Sequence, residues 1–125
     1  MDRVKRDELF YKIADGDEEN ALLLLNETND INYKDANGYS YLHIAVQSHM
    51  TSVVKYLLEK GADVNSNDRF GKTPLMIAIM HYLSDKPVVQ QIINLLIQYG
   101  ADLDKAAISG VTARQLAERM GINFY

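Results

Sequence analysis

The sequence predicts an all-α solenoid of stacked helix-turn-helix units with β-turn tips, about three full units followed by a truncated C-terminal cap. Two motifs repeated in step, and apolar residues at helical spacing between them, carry that prediction. Gly61-Ala62-Asp63-Val64-Asn65 is echoed by Gly100-Ala101-Asp102-Leu103-Asp104, and more faintly by Asp30-Ile31-Asn32, so that the copies end at 32, 65 and 104. Asn37-Gly38-Tyr39-Ser40-Tyr41-Leu42-His43-Ile44-Ala45 recurs from Phe70 to Ala78 and from Ser109 to Ala117, with glycines at 38, 71 and 110. Both motifs therefore advance by 33 and then 39 residues.

Residues 35–67 form the clearest unit. Asp35-Ala36-Asn37-Gly38 has the chemistry of a tight turn, where glycine takes a positive φ at little cost. Ser40 then caps a short helix that carries Leu42, Ala45 and Val46 toward a core. Thr51 or Ser52 caps a second helix with Val53, Val54, Leu57 and Leu58 at helical spacing, and Gly61 ends it. Each such pair presents leucines to both of its neighbours, so none can bury its apolar face alone and the units must stack.

The same ruler divides one domain, 1–125, into units at about 2–34, 35–67, 68–106 and 107–125. In the first unit a shift of 33 puts Lys12 where the second has Ala45, while Gly16, Leu24, Leu25, Asp30, Ile31 and Asn32 align. A one-residue deletion that returns Ala14 to the packed face fits equally, and both registers stay open. The third unit has six extra residues between Ala78 and Gly100; both of its helices are expected to lengthen, with Ser84 starting the second and Pro87 in its first turn. The fourth stops after one helix and the tail Gly121-Ile122-Asn123-Phe124-Tyr125. The outer helix of unit three, with Ile92, Ile93, Leu95, Leu96 and Ile97, then lacks a neighbour unless Phe124 and Tyr125 fold back over it. That end is self-covered or a contact surface.

These motifs resemble the ankyrin repeat, whose unit of about 33 residues passes from a turn through Thr-Pro-Leu-His-x-Ala to Gly-Ala-Asp-Val-Asn. Leu42-His43-Ile44-Ala45 and Gly61-Ala62-Asp63-Val64-Asn65 match it, Ser40-Tyr41 departs from Thr-Pro, and Thr73-Pro74-Leu75 restores it. The resemblance implies a fold that binds partners through its turn tips and the exposed side of its first helices. It also implies that His43 serves turn hydrogen bonds, and that the insertion of unit three lies opposite the tips.

Composition narrows the function. With 13 basic and 17 acidic side chains, the net charge of -4 opposes the phosphate attraction behind non-specific nucleic-acid binding. The absence of cysteine excludes disulfides, iron–sulfur clusters and thiolate zinc sites, and suits a reducing cytoplasm. The charged run from Met1 to Glu8 is not followed by the apolar segment of an export signal. Stretches such as Ala21 to Leu25 fall far short of the roughly 20 apolar residues that cross a bilayer. A soluble, cytoplasmic protein with no nucleic-acid or membrane partner is expected.

None of His43, His49 and His81 has a histidine at i+4, as helical zinc sites require. His49 stands where a glycine usually ends the first helix and is expected to face solvent. Asp15, Asp17, Glu18 and Glu19 lack the spacing of a calcium loop and suit the positive end of a helix dipole. Asp63 and Asp102 belong to the repeat and read as partly buried groups that fix loops. No phosphate loop or nucleophile with a base is present, so no metal, cofactor or catalysis is expected.

The candidate protein-binding residues are Tyr33, Lys34, Asn37, Tyr39, Arg69, Phe70 and Lys72 at the tips, with Met80 and His81 on the helical floor. Ala36, Ile108, Ser109 and Val111 are further tip positions, and Gln47, Ser48, Arg119 and Met120 continue the floor. Aromatic and arginine side chains are the usual anchors of protein interfaces, which favours Tyr39 and Phe70; Tyr41 reads as packing. Arg69 and Lys72 beside Phe70 call for an acidic patch on the partner. Beginning at Met1 with no attached effector domain, the chain is expected to act by occlusion, and it resembles small bacterial ankyrin proteins that neutralise a cognate toxin. Two other classes stay open: an enzyme or small-ligand protein with a site near His81, Tyr82 and Asp85, and a module that self-associates through its C-terminal end.

Overall fold

The computed structural model describes residues 2–122 and 124. Its helices are α1 (Arg3–Ala14), α2 (Glu18–Leu25), α3 (Tyr41–Gln47), α4 (Thr51–Glu59), α5 (Pro74–Met80), α6 (Lys86–Gln98) and α7 (Ala113–Met120), with a 3-10 turn at Tyr82–Ser84. α1, α3, α5 and α7 pack side by side as one layer, and α2, α4 and α6 form the second. Among the described residues there is no strand, only isolated bridges of Lys34 with Ser40 and Ala106 with Thr112 at the tips.

Polar caps set where the first-layer helices start. Ser40, Thr73 and Thr112 each accept a hydrogen bond from the backbone N–H three residues on, and Pro74 occupies the first turn of α5. α4 differs from expectation: neither Thr51 nor Ser52 caps it, the capping position is Met50, and the Ser52 hydroxyl donates to Glu18 instead. At its other end the N–H of Gly61 donates to Leu58 and that of Ala62 to Leu57, and Gly100 and Ala101 repeat the pattern after α6.

The core follows from the repeat. Leu9, Ile13, Leu42, Val46, Leu75 and Ile79 are buried along the first layer, and Leu25, Val54, Leu58, Ile93 and Leu96 along the second. Each such side chain contributes about 1.5–3 kcal/mol by leaving water. The shift of 33 holds in the first unit: Leu9 and Ile13 take the places of Leu42 and Val46, Lys12 is half-buried and pairs with Asp17 at 3.5 Å, and Ala14 is exposed. The register with a deletion is therefore wrong. Asp17 is also the cap of α2, and the Asn20 side chain that donates to it holds its carboxyl below the usual carboxylate range.

The insertion in unit three also departs from expectation. α5 has seven residues, as many as α3, so the first helix does not lengthen. The added length goes into the 3-10 turn and into α6, which has 13 residues against nine in α4. Asp85, not Ser84, caps α6, because Ser84 is held in the 3-10 turn by donating to the His81 carbonyl at 2.6 Å. At the C-terminal end Ile122 is buried and Phe124 is partly buried against the core; Tyr125 lies outside the described residues.

Two polar devices tie unit to unit. Asn32 Oδ1 accepts from the Asp63 N–H and Asn65 Oδ1 from the Asp102 N–H, each at 2.7 Å. Asp63 and Asp102 are exposed, contrary to the burial expected of them, but each accepts from the N–H two residues on and so fixes its loop. The second device is His43, which is fully buried. Its Nε2 lies 2.9 Å from the Lys72 carbonyl, which only accepts, so Nε2 carries the proton; Nδ1 then accepts from the Ser40 N–H at 3.2 Å. Burial pushes the His43 pKa below its ordinary value, which keeps the ring neutral.

Two predictions follow from these contacts. A Cβ on Gly38, whose φ is +79°, would sit 2.8 Å from the Arg69 nitrogen, whereas Gly16, at +80°, has nothing within 4 Å. Gly16→Ala should cost about 1–2 kcal/mol in urea unfolding, and Gly38→Ala distinctly more, on the order of 3 kcal/mol; equal costs would contradict the close approach. For His43, whose pKa is lowered on folding, the stabilisation is complete above the unfolded value of about 6.5 and declines as pH falls below it. The urea midpoint should therefore drop between about pH 7.5 and 5.5, and His43→Gln should be less stable but flatter over that range. A parallel decline in the variant would assign the dependence elsewhere.

Candidate protein-binding surface

The tips are built by carboxylates that accept backbone N–H groups. Asp35 Oδ1 accepts from Asn37 at 2.9 Å and Tyr39 at 3.0 Å, and Asp68 Oδ1 accepts from Phe70 and Lys72, both at 2.9 Å. In the fourth unit Ala107 stands in that place; the backbone N–H of Gly110 donates to the Ala107 carbonyl at 2.8 Å, and the Ser109 hydroxyl accepts from the Val111 N–H at 3.4 Å. The tips are joined to one another: Arg69 donates from its N–H to the Asn37 carbonyl at 3.1 Å, and Ile108 from its N–H to the Phe70 carbonyl at 2.9 Å. Gly38 and Gly71 lie at these joints, where a Cβ would meet the next tip within about 3 Å.

Along this row the candidate residues divide. Phe70 is exposed, with the Arg69 guanidinium 4.8 Å and the Lys72 ammonium 5.8 Å from its ring centroid. Tyr39 is half-buried, its ring edge toward His43 at 6.1 Å between centroids. Asn37 is exposed and accepts from the Arg69 side chain at 3.3 Å. Lys34 is exposed and donates to the Asn67 carbonyl at 2.7 Å. The ion pairs of the described residues join Lys5 to Glu27, Lys12 to Asp17 and Arg114 to Asp104; none takes up Lys34, Arg69 or Lys72.

Tyr33 sits away from the row. It is half-buried beside Phe10 and Tyr41, with ring centroids 6.0 and 6.2 Å away, and the Arg6 guanidinium lies 4.2 Å over its ring. Tyr41 is wholly buried, and burial pushes its pKa up to about 12, opposed by the Arg6 charge. The Tyr41 hydroxyl has no hydrogen-bond partner among the described residues.

On the floor, Met80 is exposed at the end of α5 and His81 is half-buried at its cap. The His81 ring meets His49 edge-on at 6.2 Å. His49 does not face solvent freely as expected: it is half-buried in the left-handed region (φ 57°), with Nε2 3.3 Å from the Ser84 hydroxyl. Tyr82 is half-buried, and the Asp85 carboxylate accepts from the Val88 N–H at 3.4 Å as a helix cap. Among the described residues no group of three or more histidine or acidic side chains could hold a metal ion, and no helix is long and apolar enough to cross a membrane.

Sequence reasoning placed Ile108 and Val111 at a tip without marking them as a site. With Phe70, Ala107 and Leu116 they border two shallow depressions of about 370 and 190 Å³, both lined in part by Lys72. The signal for it was present in the chain: Ala107 replaces the carboxylate that the second and third units place there.

Comparison with known proteins agrees with this architecture. A family model described as ankyrin repeats, in three copies, matches residues 9–107. The ankyrin repeat-containing protein P1E11.10 of Schizosaccharomyces pombe is 32% identical over 113 residues, which cover 90% of this chain and 51% of that protein. A putative ankyrin repeat protein of Rickettsia felis is 39% identical over 83 residues, 63% of this chain and 36% of that protein. Serine/threonine-protein kinase 12 of Arabidopsis thaliana is 33% identical over 110 residues, 88% of this chain but 23% of that protein. The chain thus spans about half or less of the length of these relatives. Ankyrin repeats in general mediate protein–protein interaction. With matched repeats over most of its length and the helix pairs that they specify, the chain belongs to the ankyrin-repeat family.

Proposed function

We propose that this chain is a non-catalytic interaction module that masks a partner protein through its tips and first-layer helices, with Tyr39 and Phe70 at the centre. The observation that carries this reading is the exposed Phe70 ring flanked by Arg69 and Lys72, on a row whose tips are hydrogen-bonded together. A large aromatic side chain held on a fixed backbone loses little freedom on binding, so more of its burial appears as affinity. Lys34, Arg69 and Lys72 have no carboxylate partner among the described residues, and an acidic patch on the partner complements them. Asn37 adds to the tip row and Met80 and His81 extend the surface onto the floor, while Tyr33 acts at its margin through the ring cluster with Phe10.

The cysteine-free composition suits action in the cytoplasm, and the specific use that we assign to such a mask is neutralising a cognate toxin. Co-expression with the product of a neighbouring toxic reading frame checks it: growth restored by this chain supports the assignment, and unrelieved toxicity removes it. For the masking reading itself, a Tyr39→Ala/Phe70→Ala double variant that keeps its helical circular dichroism should bind the co-purified partner at least about a hundredfold more weakly. Unchanged affinity would place the interface off this row.

A further inference from the structure

We infer that the groove between the third and fourth tips receives a bulky apolar side chain from an acidic segment of the partner; this rests on the interaction reading above and names the chemistry that the surface selects. Phe70 and Met80 are each 48% exposed and Ile108 is 76% exposed, and Met76, Val111 and Leu116 line the same depression as Met80. The depression lined by Met76 and Met80, about 190 Å³, is smaller than the roughly 300–1,000 Å³ of a small-molecule pocket. It suits one side chain, and methionine walls adapt to its shape.

The charge specifies what surrounds that side chain. Lys72 lines both depressions, and the Arg69 guanidinium lies on the Phe70 ring at the groove's edge. The nearest tip carboxylate, Asp68, is buried and accepts from the Phe70 and Lys72 N–H groups. No carboxylate stands at the fourth tip, where Ala107, Ile108, Ser109 and Val111 are all uncharged. The groove therefore joins an apolar floor to an edge with two cationic side chains that form no ion pair among the described residues, on a chain whose net charge is -4. A segment with a leucine, methionine or phenylalanine next to aspartate or glutamate satisfies both, and its binding weakens with salt.

The test is selection of a random-peptide library displayed on phage against the intact chain, followed by affinity measurement on the enriched peptides. The expected pool pairs a large apolar residue with adjacent aspartate or glutamate. Its binding should fall at least about tenfold on Lys72→Glu and on Ile108→Asp, an exposed site where the fold is not at risk, and little on Tyr39→Ala. No enrichment, a neutral or basic pool, or binding indifferent to both substitutions would overturn the inference. If the natural partner is lost on the Tyr39/Phe70 double variant while the selected peptides ignore the groove variants, the groove assignment fails and the wider reading stands. If the partner is indifferent to the double variant, the wider reading itself fails.

Discussion

The row that faces solvent depends on one recurring bond, in which a backbone N–H of the third and of the fourth tip donates to a carbonyl of the tip before it. Arg69 donates to Asn37 and Ile108 to Phe70. Each such bond contributes only about 1 kcal/mol net, but it fixes where an otherwise free turn can lie. It exists only because the chain can come that close, and the glycines at 38 and 71 supply both the positive φ and the missing Cβ. The buried helices carry most of the stability, and the tip bonds convert that stability into a defined surface.

His43 connects the two. Its ring is locked at the start of α3 by Ser40, and its Nε2–H reaches the Lys72 carbonyl in the next tip. One buried side chain thus links helix capping within a unit to turn position in the next. The Asn32 and Asn65 amides likewise tie the loops that follow the second-layer helices to the next unit, so successive units are linked at more than one point. Lys72, whose carbonyl takes the His43 bond, also carries a charge at the groove, so its position there is inherited from the core.

Much of this was legible in the chain. The period, the turn glycines, the Ser40 cap and the burial of Leu42, Val46, Leu57 and Leu58 follow from residue types at fixed spacing, where local chemistry and packing agree. What was not legible involved competition between neighbours. Asp85 took the cap of α6 because Ser84 was engaged with the His81 carbonyl, and Met50 stood at the cap of α4 because Ser52 turned toward Glu18 in another unit. Tyr33 reads in sequence as a tip residue, yet packing with Phe10 and Tyr41 removes much of its surface. The groove at Ile108 and Val111 was hidden for the opposite reason, since it is defined by a missing carboxylate at Ala107.

A fixed binding surface requires a rigid tip row, and native-state amide hydrogen exchange measures that rigidity at Arg69 and Ile108. Both amides lie in turns at the surface, where free backbone exchanges quickly. If the bonds to Asn37 and Phe70 hold the row, both should be protected at least about a hundredfold over unstructured peptide, in step with the helix amides of α3 and α5. Exchange at the rate of a free loop would show that the tips move independently, and the fixed binding surface argued from them would be lost.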